Sequence, residues 1–91
     1  MLNAVWVFNG EGGIFPAAVF SSRQKAEEWI ARCKLSGCLT KYPMDNAVYD
    51  WVIAQGYWSP KEAHQREAKF IQSFSSAHLE HYHYEAGSEP V

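Results

Sequence analysis

The chain has 91 residues, 8 Lys and Arg against 10 Asp and Glu for a formal charge of −2, and 47% hydrophobic residues, among them 4 Trp, 5 Tyr and 5 Phe. That length supports one core, so a single domain over residues 1–91 is expected, with its core at about 4–85 and a flexible tail at 86–91. The aromatic content excludes intrinsic disorder, because such a chain offsets its ordering entropy by burying rings. No run of about 18 apolar residues is present to cross a membrane. The first residues lack the basic segment and long apolar stretch of a signal peptide, so a cytoplasmic location is expected.

Taken in chain order, Ala4–Phe8 is dense in β-branched and aromatic residues, and Asn9–Gly13 follows as a turn cluster leading into Ile14–Phe20. This predicts a β-hairpin. Its glycines do not make a phosphate loop, since neither Gly-Lys-Ser/Thr nor a following helix is present. Ser21 with Gln24 has capping-box spacing, and Ala26, Trp29, Ile30 and Cys33 recur at i, i+3, i+4 and i+7, which predicts a helix over about Ser22–Lys34. Gly37 fits the exit of that helix, with Leu35 folding back onto the core.

The stretch Cys38–Trp58 admits two readings. Ala47–Ile53 contains three β-branched residues and two aromatics, which favours a strand with Tyr49, Trp51 and Ile53 on one side. The alternative is a short helix capped by Asp45 or Asn46 and ended by Gly56. Ser59-Pro60-Lys61-Glu62 predicts a second helix start, running to about Ser73. His78–Glu85 reads as a closing strand with Tyr82 and Tyr84 on one side and Leu79, His81 and His83 on the other. The order is ββα, strand, α, β, and the fold expected is α+β: a small antiparallel or mixed sheet with helices covering one face.

His81 and His83, two apart on a strand, point to one face and form a candidate metal pair. A catalytic zinc needs a third protein ligand, for which His64, His78, Glu85 and Asp50 are the candidates; the plainer reading is that both rings fill a half-exposed sheet face. Asp50, between Tyr49 and Trp51, is a candidate acid or base if half-buried, and an ordinary solvent-facing carboxylate otherwise. No Gly-x-Ser-x-Gly elbow exists. Cys33 and Cys38 lack C-x-x-C spacing and are expected as free thiols, Cys33 buried on the apolar helix face and Cys38 exposed, with a Cys38–His pairing left open.

Charge is distributed unevenly. Residues 21–41 hold five basic and two acidic residues, a local +3, whereas 42–60 carries −2 and 78–91 carries −3. Trp6, Trp51, Tyr57 and Trp58 exceed what one small core encloses, and Trp and Tyr are common anchors at binding surfaces.

The blocks V-W-V-F-N-G (5–10), A-V-F-S-S-R-Q-K-A-E-E-W-I (18–30), L-S-G-C-L-T-K-Y-P (35–43), V-Y-D-W-V-I (48–53) and H-Y-H-Y-E-A-G (81–87) resemble a family of small uncharacterised bacterial proteins, across nearly the whole chain. The resemblance implies a stand-alone bacterial cytoplasmic domain and brings no catalytic residues with it.

These observations point first to a non-catalytic protein-binding module without a cofactor, of the immunity or antitoxin type that blocks a toxin or enzyme. Trp51, Tyr57 and Trp58 are its expected anchors, and Asp45, Asp50, Glu80 and Glu85 its acidic rim. Homodimerisation is a related expectation, since exposed aromatics are also satisfied by self-association. Two alternatives are a metal-binding protein or small hydrolase built on His81 and His83, and a nucleic-acid accessory protein using the basic face of helix 22–34. The net negative charge disfavours the last.

Overall fold

The structure, a computed structural model, describes residues 3–90. The chain forms two compact units: one runs through Met44 and resumes at Leu79, and the other is Asp45–His78. Among the described residues no helix is long and apolar enough to cross a membrane.

The first unit is a four-stranded antiparallel sheet in the order β2-β1-β3-β4, with β1 (Ala4–Gly10), β2 (Ala18–Phe20), β3 (Gly37–Pro43) and β4 (His81–Tyr84). Together with its helices this establishes a small α+β fold. Alternation along β1 turns Trp6 and Phe8 into the core. They meet Leu39 of β3, Tyr84 of β4, and Ala26 and Ile30 of the helix α1 (Arg23–Cys33), with Phe20, Trp29, Leu35 and Tyr82 packed around them. Phe8 meets Trp29 edge-on at 5.6 Å, and Trp6 stacks on Tyr82 at 6.1 Å. Trp6, counted with the surplus rings in the sequence, is therefore a core residue. Full burial of Phe8, Ile30 and Leu39 contributes about 1.5–3 kcal/mol each.

Helix α1 lies within the span expected, but it is capped by Ser22 rather than Ser21: the Ser22 hydroxyl accepts from the Lys25 N–H at 3.2 Å. Gln24 therefore falls outside the capping-box position. At the other end Lys34 takes a left-handed conformation and Leu35 donates back to the Ile30 carbonyl. That reversal folds Leu35 back onto the core as expected, whereas Cys33 is exposed rather than buried and Cys38 is half-buried rather than exposed.

Four further expectations are corrected in the elements. The second hairpin strand is only Ala18–Phe20, because Pro16 has no N–H to give a ladder and Ile14–Ala17 stay exposed. Gly37 does not end a helix; it begins β3, the long inner strand that pairs along the whole of β1. Its place there is steric, since a Cβ at Gly37 would overlap the Asn9 carbonyl oxygen and lie 2.7 Å from Phe8 Cζ.

The third correction is in the second unit, where Ala47–Ile53 is not a strand but the helix α2 (Val48–Ala54). Its buried residues, Tyr49 and Val52, are three apart, so helical spacing rather than alternation decides which side is covered. Gly56, with φ of 77°, ends the turn after it, as the helical alternative required. The continuous helix expected from Ser59 to Ser73 is absent. Glu62, not Ser59, caps a 3-10 turn at Ala63–Arg66, with Gln65 reaching back to the Glu62 N–H at 3.1 Å, and a separate short helix α3 (Ala68–Ile71) follows. The break suits a cluster of rings: Tyr49 lies 5.4–6.5 Å from Trp58, Phe70 and Phe74, and its hydroxyl donates to the Gln65 carbonyl at 2.8 Å.

Replacing Gly37 by Ala is expected to lower stability by about 2–3 kcal/mol, because backbone on β1 must move to admit the methyl group. Urea denaturation followed by tryptophan fluorescence measures this; an unchanged midpoint would show that β1 and β3 tolerate the added volume.

Candidate functional site

Two surfaces carry the residues singled out in the sequence, one on each unit. On the Asp45–His78 unit, the left-handed turn at Gly56 ends the helical path and presents Tyr57 next to α2. Trp51 meets Tyr57 edge-on at 5.6 Å, and Tyr57 stacks on His78 at 4.4 Å with the rings 8° apart. Tyr57 nevertheless remains 49% exposed. A shallow cleft of about 360 Å³ adjoins it, lined by Ile53, Gly56, Tyr57, Trp58, Ser59 and Lys61. Asp45 and Asp50 are exposed, one ahead of α2 and one in its first turn. Trp58 is half-buried in the ring cluster, stacked on Phe70 at 5.8 Å and tilted on Phe74 at 5.0 Å. Glu80 and Glu85 are exposed at the two ends of β4, in the other unit.

On the sheet, His81 and His83 lie with ring centroids 5.4 Å apart at 88°. The His81 Nδ1 is 2.7 Å from the Leu79 carbonyl, which only accepts, so this nitrogen carries a proton and leaves Nε2 as the acceptor of a neutral ring. Register sets Cys38 directly opposite His83 and Asn9 directly opposite Cys38. A thiol thus sits between an amide and an imidazole at the mouth of a cleft of about 410 Å³, which Gly10, Glu11, Tyr84 and Glu85 also line. The Cys38 Sγ is 3.6 Å from the Thr40 hydroxyl, and the buried Asn9 Oδ1 has no partner. Sequence reasoning left a Cys38–His pairing open and missed Asn9; only strand register brings the three into a row. Among the described residues no three His, Cys, Asp or Glu side chains converge to hold a metal ion.

The basic face of α1 is partly neutralised. Arg23 donates to Glu27 at 3.2 Å and to Glu89 at 2.7 Å, with its guanidinium 3.4 Å above the Tyr82 ring. Tyr84 donates to the same Glu27 oxygen at 2.6 Å, and Tyr82 donates to Glu80. Burial, and then the hydrogen bond to Glu27, push the Tyr84 phenol well above the usual tyrosine range. The Tyr82 phenol is also raised, first by its bond to Glu80 and then by desolvation.

Helix α1 packed on an antiparallel sheet, with a helical segment joining two neighbouring strands in the chain, defines a small α+β protein without a metal-ligand cluster among its described residues. The family described as Domain of unknown function (DUF7710) matches residues 5–90, and the chain belongs to it. No curated protein and no solved structure matches the chain.

The Tyr84 geometry fixes an alkaline response. A phenol with a raised folded-state pKa contributes stability in full below its unfolded value of about 10 and loses it as pH rises through the folded value. Tyr84→Phe is expected to lower neutral-pH stability by about 1–2 kcal/mol and to flatten the decline above pH of about 10. Denaturation midpoints across that range measure both effects; an equally steep decline in the variant would place the alkaline sensitivity elsewhere.

Proposed function

We propose that the chain is a protein-binding module, not an enzyme, whose contact surface is the exposed aromatic ladder of the Asp45–His78 unit. The observation that carries this reading is Tyr57, half in solvent while held flat on His78 and braced by Trp51. A ring fixed in this way loses little freedom on binding and offers both apolar area and a hydroxyl, which is why Tyr and Trp anchor interfaces. Asp45 and Asp50 favour a partner with a basic face, whose approach they accelerate. An inhibitor of the immunity or antitoxin type fits that description, with the acidic and aromatic surface covering a basic site on a toxin or enzyme. Two free thiols suit a reducing, cytoplasmic setting.

The test uses a partner captured from native cells and then purified. Tyr57→Ala is expected to weaken its binding about thirtyfold, as for a hot-spot residue, and Asp45→Asn with Asp50→Asn to slow association while the thermal midpoint stays near that of the parent. A partner whose affinity is indifferent to both Tyr57→Ala and Trp51→Ala would remove the aromatic ladder from the interface and overturn the reading.

A further inference from the structure

The first unit carries an open edge that the aromatic ladder does not involve. Residues Gly12–Ser22 contain no charged side chain, an eleven-residue run between Glu11 and Arg23. Within it Ile14 is 88% exposed, Phe15 78% and Val19 61%. The loop is shaped rather than loose. Gly13 donates to the Gly10 carbonyl at 2.9 Å, Ala17 to the Phe8 carbonyl at 2.8 Å and Glu11 to the Ser36 carbonyl at 2.9 Å, so Ile14 and Phe15 are held outward at the tip. Beside them β2 forms one edge of the sheet: among the described residues it pairs with β1 on one side and with no strand on the other.

An uncharged edge of this kind is a template for another strand, since alternate backbone N–H and C=O groups face away from the sheet. We propose that the strand added is β2 of a second copy of this chain, giving a two-fold symmetric dimer with a continuous eight-stranded sheet. Antiparallel pairing about Val19 sets Val19 on Val19, each Ala18 opposite the other copy's Phe20, and each Ala17 opposite its Ser21. Small residues thus meet larger ones, and no charge within the run meets its like. Phe15 is carried toward the start of the second copy's α1, and the two Val19 side chains adjoin the half-buried Val7 residues, because Val19 lies opposite Val7.

The opposite edge of the sheet explains why the assembly closes. Exposed Glu80 and Glu85 flank β4. Antiparallel self-pairing of that strand between Tyr82 and His83 sets Glu80 of each copy opposite Glu85 of the other, a repulsive arrangement. With one edge neutral and the other guarded by carboxylates, pairing of β2 with β2 ends at two copies, whereas a head-to-tail contact of β2 with β4 would propagate as a fibre.

The inference is independent of the reading of Tyr57, and Tyr57→Ala is expected to dimerise like the parent. Sedimentation velocity of the full chain, from micromolar to millimolar concentration, should show a shift from monomer to dimer and no larger species. Val19→Lys, which sets two ammonium groups face to face at an exposed position, should raise the dissociation constant at least about tenfold, while Val19→Thr stays within about threefold of the parent. Circular dichroism of both variants confirms that the monomer fold is retained. A parent that stays monomeric at the highest concentration, assemblies that keep growing, or a Val19→Lys variant that dimerises as well as the parent would each overturn the proposal. So would a monomeric parent that co-sediments with phosphatidylcholine vesicles through Ile14 and Phe15.

Discussion

The pairing of β1 with β3 is the contact on which the first unit depends. It joins Ala4–Gly10 to Gly37–Pro43 without a gap, and it is possible only because Gly37 lets the two backbones approach at the end of the ladder. Everything that matters on the sheet is hung from it. β2 is attached to β1 alone and β4 to β3 alone, so both edges are placed by the central pair. The same register sets Asn9, Cys38 and His83 in a row and puts Tyr84 within reach of Glu27 on α1.

A second constraint is the ionic tie around Arg23. Its guanidinium is shared between the helix through Glu27, the sheet through the Tyr82 ring, and the C-terminal segment through Glu89. A delocalised planar cation serves all three at once in a way that a lysine ammonium would not. Ala86 and Gly87 add backbone bonds to the Ser36 hydroxyl and the Leu35 carbonyl, so this segment lies against the end of α1. Lys25, Arg32 and Lys34 remain exposed on that helix, which leaves its basic face thinner than the local charge of +3 suggests.

What was legible in the sequence follows what periodicity can express. β1 is read from its density of β-branched and aromatic residues, α1 from the i, i+3, i+4 pattern and β4 from alternation, because each buries one side against the core. β3 lacks such a signal: its Gly-Cys-Leu-Thr-Lys-Tyr-Pro run has a single fully buried residue, Leu39, and begins with the kind of glycine that elsewhere ends helices. The segment Val48–Ala54 misleads in the other direction. Its valines, isoleucine and aromatics are strand formers, but β-propensity reflects packing on a pleated surface, and here Tyr49 and Val52, three apart, are covered on one side of a helical turn. For the candidate sites, the surplus of aromatics is visible in composition, yet the division of Trp6 into one core and Trp58 into a ring cluster is decided by tertiary packing. The uncharged run at Gly12–Ser22 is written plainly in the residues; only strand order shows that it borders an edge.

Strands β3 and β4 are antiparallel neighbours, with Thr40 opposite His81 and the Lys41 N–H bonded to the Glu80 carbonyl, and the whole Asp45–His78 unit leaves and returns between them. In topological terms that unit replaces a hairpin turn. The ladder between β3 and β4 runs up to the insertion point, so the register of the sheet is set by strand pairing and not by a tight turn. The chain is thus organised as a frame and a cassette, in which the frame is held by its own strand pairing and the cassette by its own cluster of rings.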